Sequence, residues 1–305
     1  MYTTMVTQAE VYIMRLYKCA ALLLLAGLFT IGAPLVAQQG QQLDLQVLED
    51  TAAVQEIVLR DGTKLVGRVV AIAGDRIDFR TTGGVDIPLQ RADIARARII
   101  RGVRRGSDFW RSDPSDSRLF AGPTGRVPPN GHGYFGVYEL VVPSFAVGIG
   151  DIAMISGGMS IVPGIAIDEQ VFFISPKVQV FNTQYAQGAV GALFVQPGDS
   201  DESGGLAFGT VTAGDAAASF TGGLAFAFAS GSGFEDNAVF LLGGEVRVSR
   251  SLKLMIENWV LPNKKSLLNL EFQIIANNVT VEAAAATSSD GGFLPLVNFS
   301  VGWGR

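Results

Sequence analysis

The 305-residue sequence holds one cysteine and one histidine. Cys19 lies in an apolar N-terminal stretch, so the chain beyond that stretch can form no internal disulfide. No Cys/His cluster is available to bind zinc. His132 is the one histidine a Ser–His–acid hydrolase could use, and in Asn130-Gly131-His132-Gly133 it reads as a turn residue. Phosphate-binding glycine loops and dinucleotide fingerprints are also missing. Asp199, Asp201 and Glu202, in a Gly/Ser-rich stretch, read as a solvated loop in preference to a weak calcium site. These absences predict no metal, no cofactor and no enzymatic activity. Charge is scarce as well, at 17% of residues against roughly 25% in ordinary globular domains. After residue 40 no run approaches the ~20 apolar residues of a membrane helix. A chain of mean hydropathy +0.32 without such helices must bury its apolar surface in a core or show it to lipid as a barrel.

What the sequence has is alternation. Phe240, Leu242, Val246 and Val248 share one face of a segment whose other face carries Glu245, Arg247 and Ser249. Leu252, Leu254 and Ile256 likewise oppose Lys253 and Glu257, and Leu268, Leu270, Phe272 and Ile274 oppose Asn269, Glu271 and Gln273. Phe172, Ile174, Val178 and Val180 oppose Ser175, Lys177 and Gln179. Side chains of a strand point alternately to opposite faces, so this period of two marks half-apolar strands. Tight connections (148–151, 182–184, 214–215, 249–251, 277–278) alternate with long ones (164–169, 197–205, 230–236, 262–265, 288–292), as periplasmic turns and external loops do in outer-membrane barrels.

The predicted fold is all-β, with a small N-terminal module followed by an antiparallel up-and-down transmembrane barrel over 117–305. Eleven strands run from Tyr134 to Trp303, and Ser117–Val127 supplies the twelfth; ten strands is the fallback, because Pro123 weakens that first strand. Pro143 and Pro176 donate no ladder hydrogen bond and predict a bulge each. Tyr134, Phe135, Trp259 and Trp303 are expected in interfacial aromatic girdles. A charge facing mid-bilayer lipid costs roughly 2–4 kcal/mol. Glu139, Lys177, Glu245, Arg247, Lys253, Glu257, Glu271 and Glu282 are therefore expected to point into the lumen as one cluster. Charge pairing that fills a narrow tube and a lining that passes a small solute or ion both fit it. Glycines 157, 158, 188, 191, 222, 223, 243 and 244 would leave room for the long inward side chains, or would serve barrel curvature.

Ahead of the barrel, Arg15 and Lys18 precede an apolar run over 20–32 and a cleavage-like Ala33–Ala37, which predicts a secretory signal over 1–37 with Met14 as a second candidate start. Residues 38–53 read as a flexible lead. Residues 54–100 read as short strands broken at Asp61-Gly62, Gly74-Asp75 and Gly83-Gly84, the turn chemistry of a small SH3-like or Sm-like module. The 101–116 stretch reads as an Arg-rich linker. Nine arginines and four aspartates fall in 91–126, a balance of +5, whereas 127–305 holds 15 acidic and 7 basic residues, a balance of −8. The basic stretch suits a solvated linker, anionic headgroups or the barrel rim; nucleic acid is not an expected partner behind a secretory signal.

The strings GYFGVYELVVPSFAVGIGD, ISGGMSIVPG, VFFISPKVQV and LLGGEVRVSRSLKLMIENW resemble a widespread group of uncharacterised outer-membrane-type β-barrel proteins of Gram-negative bacteria. The string LRDGTKLVGRVVAIAGDRIDFRTTGGVDIPLQRADI resembles the small β modules of bacterial envelope proteins. The resemblance implies an outer-membrane location, contact with outer-membrane lipid and the barrel-assembly machinery, a periplasmic module and no particular activity. The chain closes on Gly304-Arg305 instead of the terminal aromatic residue common in such barrels. A non-enzymatic structural component or narrow channel is the expected role, a secreted soluble β protein binding an envelope partner is the second reading, and a lipid-modifying enzyme using His132 is the third.

Overall fold

The computed structural model describes residues 45–304 apart from 101, 106–107, 199–202, 263–264 and 290. The expected signal segment, most of the flexible lead, Asp199, Asp201, Glu202 and the terminal Arg305 lie outside the described residues. The chain forms two compact units, divided after Asp113.

In the first unit, β1 (Gln55–Leu59), β2 (Lys64–Ala73), β3 (Arg76–Thr81), β4 (Asp86–Gln90) and β5 (Ile94–Ile99) make an antiparallel sheet in the order β4-β3-β2-β1-β5. Gly62, Gly74 and Gly84 take positive φ at the breaks between strands, the conformation for which glycine is suited. Ile57, Val69, Ile77, Phe79, Leu89 and Ile94 form the core. The last part of the expected flexible lead is a short helix, Leu45–Glu49, whose Leu48 is buried in that core. The expected linker holds a hairpin of β6 (Gly102–Arg105) and β7 (Asp108–Arg111). Burial opposes ionisation of Glu56, but the charges of Arg111 and Arg98 outweigh it and hold the carboxyl below its ordinary value.

The second unit is a closed antiparallel barrel of twelve strands. They are β8 (Gly133–Tyr138), β9 (Val142–Ile149), β10 (Ala153–Met159), β11 (Phe172–Asn182), β12 (Ala186–Gln196), β13 (Gly204–Gly214), β14 (Ala218–Ala229), β15 (Gly233–Arg247), β16 (Leu252–Val260), β17 (Ser266–Ala276), β18 (Val279–Ser288) and β19 (Phe293–Trp303). β19 closes on β8, with Trp303 opposite Gly133. All five expected tight turns lie at this terminal end. The longer connections lie at the opposite, loop end, although β14 and β15 run on to a short turn at residues 230–232.

The strand total matches the expectation for a different reason. Ser117–Val127 is not a wall strand, and the first expected strand after it is two: β8 and β9 turn at Glu139-Leu140, both in positive φ. That hairpin is short. Tyr138 pairs with Asn298 halfway along β19, so Phe293–Leu296 have no strand beside them on the β8 side. Val297 and Glu139 face each other there. By the alternation of the ladder, Pro295 also points its missing amide to this open side, where a strand tolerates proline. The expected bulges are not at the prolines. The β11 register shifts between Gln179 and Phe181 without changing across Pro176. Pro143 lies where the β9–β10 ladder has ended, beyond Ser144 opposite Gly158.

The faces divide as the alternation requires. Leu270 is 62% exposed while its neighbour Glu271 is 3% exposed. Phe172, Ile174, Val178, Val180, Phe240, Leu242, Phe272 and Ile274 all face outward. These exposed apolar side chains make the exterior an apolar belt, a surface that marks a membrane or partner contact. Of the aromatics expected in girdles, Phe135 and Trp303 are exposed on the outer wall, but Tyr134 is buried inside the barrel and Trp259 lines the lumen. Their wall positions have inward parity, which decides their orientation over any preference for an interface.

Candidate functional site

The lumen has two zones. Its terminal half is charged and filled by the chain's own residues 114–130. Its loop half is an apolar chamber.

The segment preceding β8 enters the barrel beside Gly302, packs Pro114 against that glycine, and folds back on itself. Leu119 N–H donates to the Gly122 carbonyl at 2.8 Å and Thr124 N–H to the Ser117 carbonyl at 3.1 Å, so the insert is a narrow hairpin with its tip at 120–122. It returns to the terminal end at Pro128 and Asn130, against Gly148. Leu119, Phe120, Ser115, Ser117 and Arg118 are buried. Two glycines permit this seating. A Cβ on Gly243 would lie 2.2 Å from the Leu119 Cδ1, and one on Gly125 would lie 2.1 Å from the Gln187 carbonyl oxygen of β12. Gly243 is thus one expected space-making glycine, and the side chain it admits belongs to the insert.

Seven of the eight expected lumen charges are buried strand residues facing this insert or one another. Glu282 accepts two 2.9 Å hydrogen bonds from Arg118 Nη2 and further ones from Gln273 Nε2 at 2.9 Å and Asn298 Nδ2 at 3.1 Å. The Arg118 guanidinium also lies 4.8 Å from the Tyr138 ring centroid and donates from Nη1 to the Leu119 and Phe120 carbonyls. Lys177 Nζ donates to the carbonyls of Ser117 (2.7 Å) and Thr124 (2.9 Å). Glu257 accepts from the Ala121 and Gly122 amides at 3.1 Å each and from Trp259 Nε1 at 2.5 Å. Glu245 pairs with Arg126 of the insert and with Lys253 at 2.9 Å. Arg247 is buried on the same inward parity of β15. Glu271 is buried too, and among the described residues its carboxylate oxygens make no hydrogen bond.

Glu139 does not join them. It stands in the β8–β9 turn, half-buried, where its Oε1 accepts from the Val297 amide at 3.2 Å. From that turn it lines the lumen on the loop side, apart from the other seven.

Beyond the tip the inward positions become apolar. Phe173, Leu193, Val195, Leu206, Phe208, Val239, Leu241 and Trp259 surround most of a cavity of about 680 Å³ that Phe120, Ala121 and Pro123 of the insert floor in part; beside the hairpin it continues to Tyr134, Met154 and Lys177. This chamber is not among the features expected from the sequence. The cue for it is a loss of alternation at the loop ends of the strands, where Ala192–Val195, Leu206–Phe208 and Ala238–Leu242 are apolar on both faces. His132 forms part of the return to β8, with Nδ1 at 2.9 Å from the Asn130 carbonyl. No group of three or more metal-ligating side chains occurs among the described residues.

No protein-family model matches the sequence, and no curated protein is similar to it. Among solved structures, the chain is similar to the KdgM porin in complex with disordered oligogalacturonate (TM-score 0.40, 7% identity, covering 56% of this chain and 95% of that one). It is also similar to a loop-deletion mutant of OmpT, an outer membrane protein of Vibrio cholerae (TM-score 0.33, 12% identity, 82% and 96%). A third is OccAB2 of Acinetobacter baumannii (TM-score 0.28, 9% identity, 58% and 72%).

Proposed function

We propose that this protein is a non-enzymatic outer-membrane β-barrel, a structural envelope component kept closed by its inserted hairpin, with the N-terminal sheet as a periplasmic, SH3-like module. One contrast carries the reading. Greasy side chains cover the outside of a closed barrel while carboxylates and ammoniums are held within it, as Leu270 and Glu271 illustrate. Water would penalise that outer belt, whereas a bilayer accepts it. Outer-membrane lipid and the barrel-assembly machinery are the partners this implies.

The hairpin supports the closed form of the role over the conducting one. An open charged lumen would carry ions, but here Lys177, Glu257 and Glu282 are used up on residues 115–122. The mature protein should fractionate with outer membranes, show heat-modifiable gel mobility and leave planar bilayers sealed at high protein load. Recovery wholly in the soluble fraction would reject the location in favour of a secreted protein. Steady conductance by the intact chain would reject the closed state and restore the narrow channel.

A further inference from the structure

We propose that the loop-side chamber is a binding site for a single-chain amphiphile, a molecule with one alkyl chain and a small polar end. The inference rests on the membrane-barrel reading above but concerns a different part of the molecule from the charged cluster. A lumen shaped only to be filled or to conduct would be polar at its wall. This one turns apolar for the last part of its length. From Thr210 to Gly204, β13 covers seven residues, about 20 Å of strand, with Phe208 and Leu206 turned inward. Its volume of about 680 Å³ falls within the range of ligand pockets, roughly 300–1,000 Å³.

The hairpin occupies the terminal side of the lumen, and its tip is tied to the wall by Glu257; the space that continues beside it is lined by Ser117, Arg118, Tyr134, Met154 and Lys177. Water filling such a space would lie against Leu193, Val239 and Leu241 with few partners, so an apolar occupant that displaces it gains free energy. The polar end of the ligand has candidates to meet. Thr210 and Asn298 are buried and line the chamber, yet Thr210 Oγ1 and Asn298 Oδ1 have no hydrogen-bond partner among the described residues. Buried polar atoms are rarely left so without a reason. An alkyl alcohol or acid would satisfy one of them while its chain fills the apolar part. Entry has a route besides the loop end. Above the β8–β9 turn, Phe293–Leu296 have no neighbouring strand on the β8 side, which leaves the wall hydrogen-bond ladder open.

Trp259, on the chamber wall, reports occupancy. With Trp110 and Trp303 replaced by Phe, the full chain carries one tryptophan. In liposomes, 6-bromododecanol should quench it saturably, because heavy-atom quenching needs contact. Phospholipid brominated on its acyl chains is a second probe. Quenching by the alcohol alone supports a free single-chain amphiphile, and equal quenching by the phospholipid would overturn it in favour of bilayer chains that enter through the wall. Val239→Asp should weaken quenching by the alcohol at least ~10-fold, by placing a charge against the chain. Val195→Trp, read by competition with 1-N-phenylnaphthylamine fluorescence, should do the same by filling the space, and Phe240→Leu on the outer face should change nothing. Quenching that rises without saturation and ignores both chamber substitutions would overturn the proposal, as would no quenching at all. Heat-modifiable mobility of each variant separates this failure from failure of the barrel itself.

Discussion

Arg118→Met tests the insert at its strongest attachment. The substitution keeps an unbranched side chain of similar length and removes the guanidinium, leaving Glu282, which is 0% exposed, without its cation. Breaking one side of a buried ion pair costs about 3–5 kcal/mol. Gln273 and Asn298 still donate to Glu282, so the lower figure, about 3 kcal/mol, applies. At 1.4 kcal/mol per decade this shifts the ratio of inserted to expelled hairpin roughly 100-fold. Lys177, Glu257 and Glu245 still hold the segment, so Arg118→Met should stay mostly closed in planar bilayers but show openings absent from the parent. Their conductance should match that of a variant lacking residues 114–130. Glu282→Met alone should also open, because it strands the arginine. The double variant removes both charges and should recover at least ~1 kcal/mol relative to the sum of the singles. Openings that add without recovery, or single variants as silent as the parent, would show that the pair does not hold the hairpin.

Two other perturbations address separate parts of the chain. Gly243→Val drives a side chain into Leu119, 2.2 Å from the ideal Cβ; it should cost about 1–3 kcal/mol and raise open events in the same bilayer assay, with partial rescue by Leu119→Ala. In the N-terminal unit, Glu56 is held below its ordinary value of 4.5. Its stabilising contribution is therefore complete above that value and lost as pH falls through the lower, folded one. Urea unfolding monitored by Trp110 fluorescence in a Trp259→Phe/Trp303→Phe background should be flat from pH 7 to 5.5 and weaken below about pH 4, and Glu56→Gln should flatten that acid limb.

The wall was legible because alternation reports directly on faces. Leu268–Ile274 shows each apolar residue exposed and each polar one buried. The hidden pieces share a cause. The β8–β9 turn is built by Glu139 and Leu140 in positive φ, and neither residue advertises a turn as Gly, Asn or Pro would, so two short strands read as one. The insert alternates well enough to pass for a strand, yet Gly122, Pro123, Gly125 and the pair Pro128-Pro129 are poor company for a ladder. Charge gave a further clue. Arg118 and Arg126 belong to a segment of net +5 next to a barrel of net −8, and both end against carboxylates of the wall. The chamber was masked because a run apolar on both faces looks the same whether its second face meets lipid or a cavity.

The hairpin and the wall depend on each other in a way that separates the two zones. Lys177 donates to two carbonyls of the insert, and Glu257 accepts from two of its amides. These wall charges recognise backbone, so they favour a particular fold of residues 117–124 over any particular side chain there. If the hairpin left, water would have to solvate Lys177, Glu257 and Glu282 together in a narrow tube, which opposes opening more strongly than any single contact does. The tip that satisfies Glu257 is the same surface that floors the chamber with Phe120 and Ala121. A ligand pressed on that floor gains only while the hairpin is seated, so occupancy of the chamber and closure of the lumen should reinforce each other by linkage. On the proposed reading, that coupling would favour an apolar pocket above a polar plug over a throughput channel.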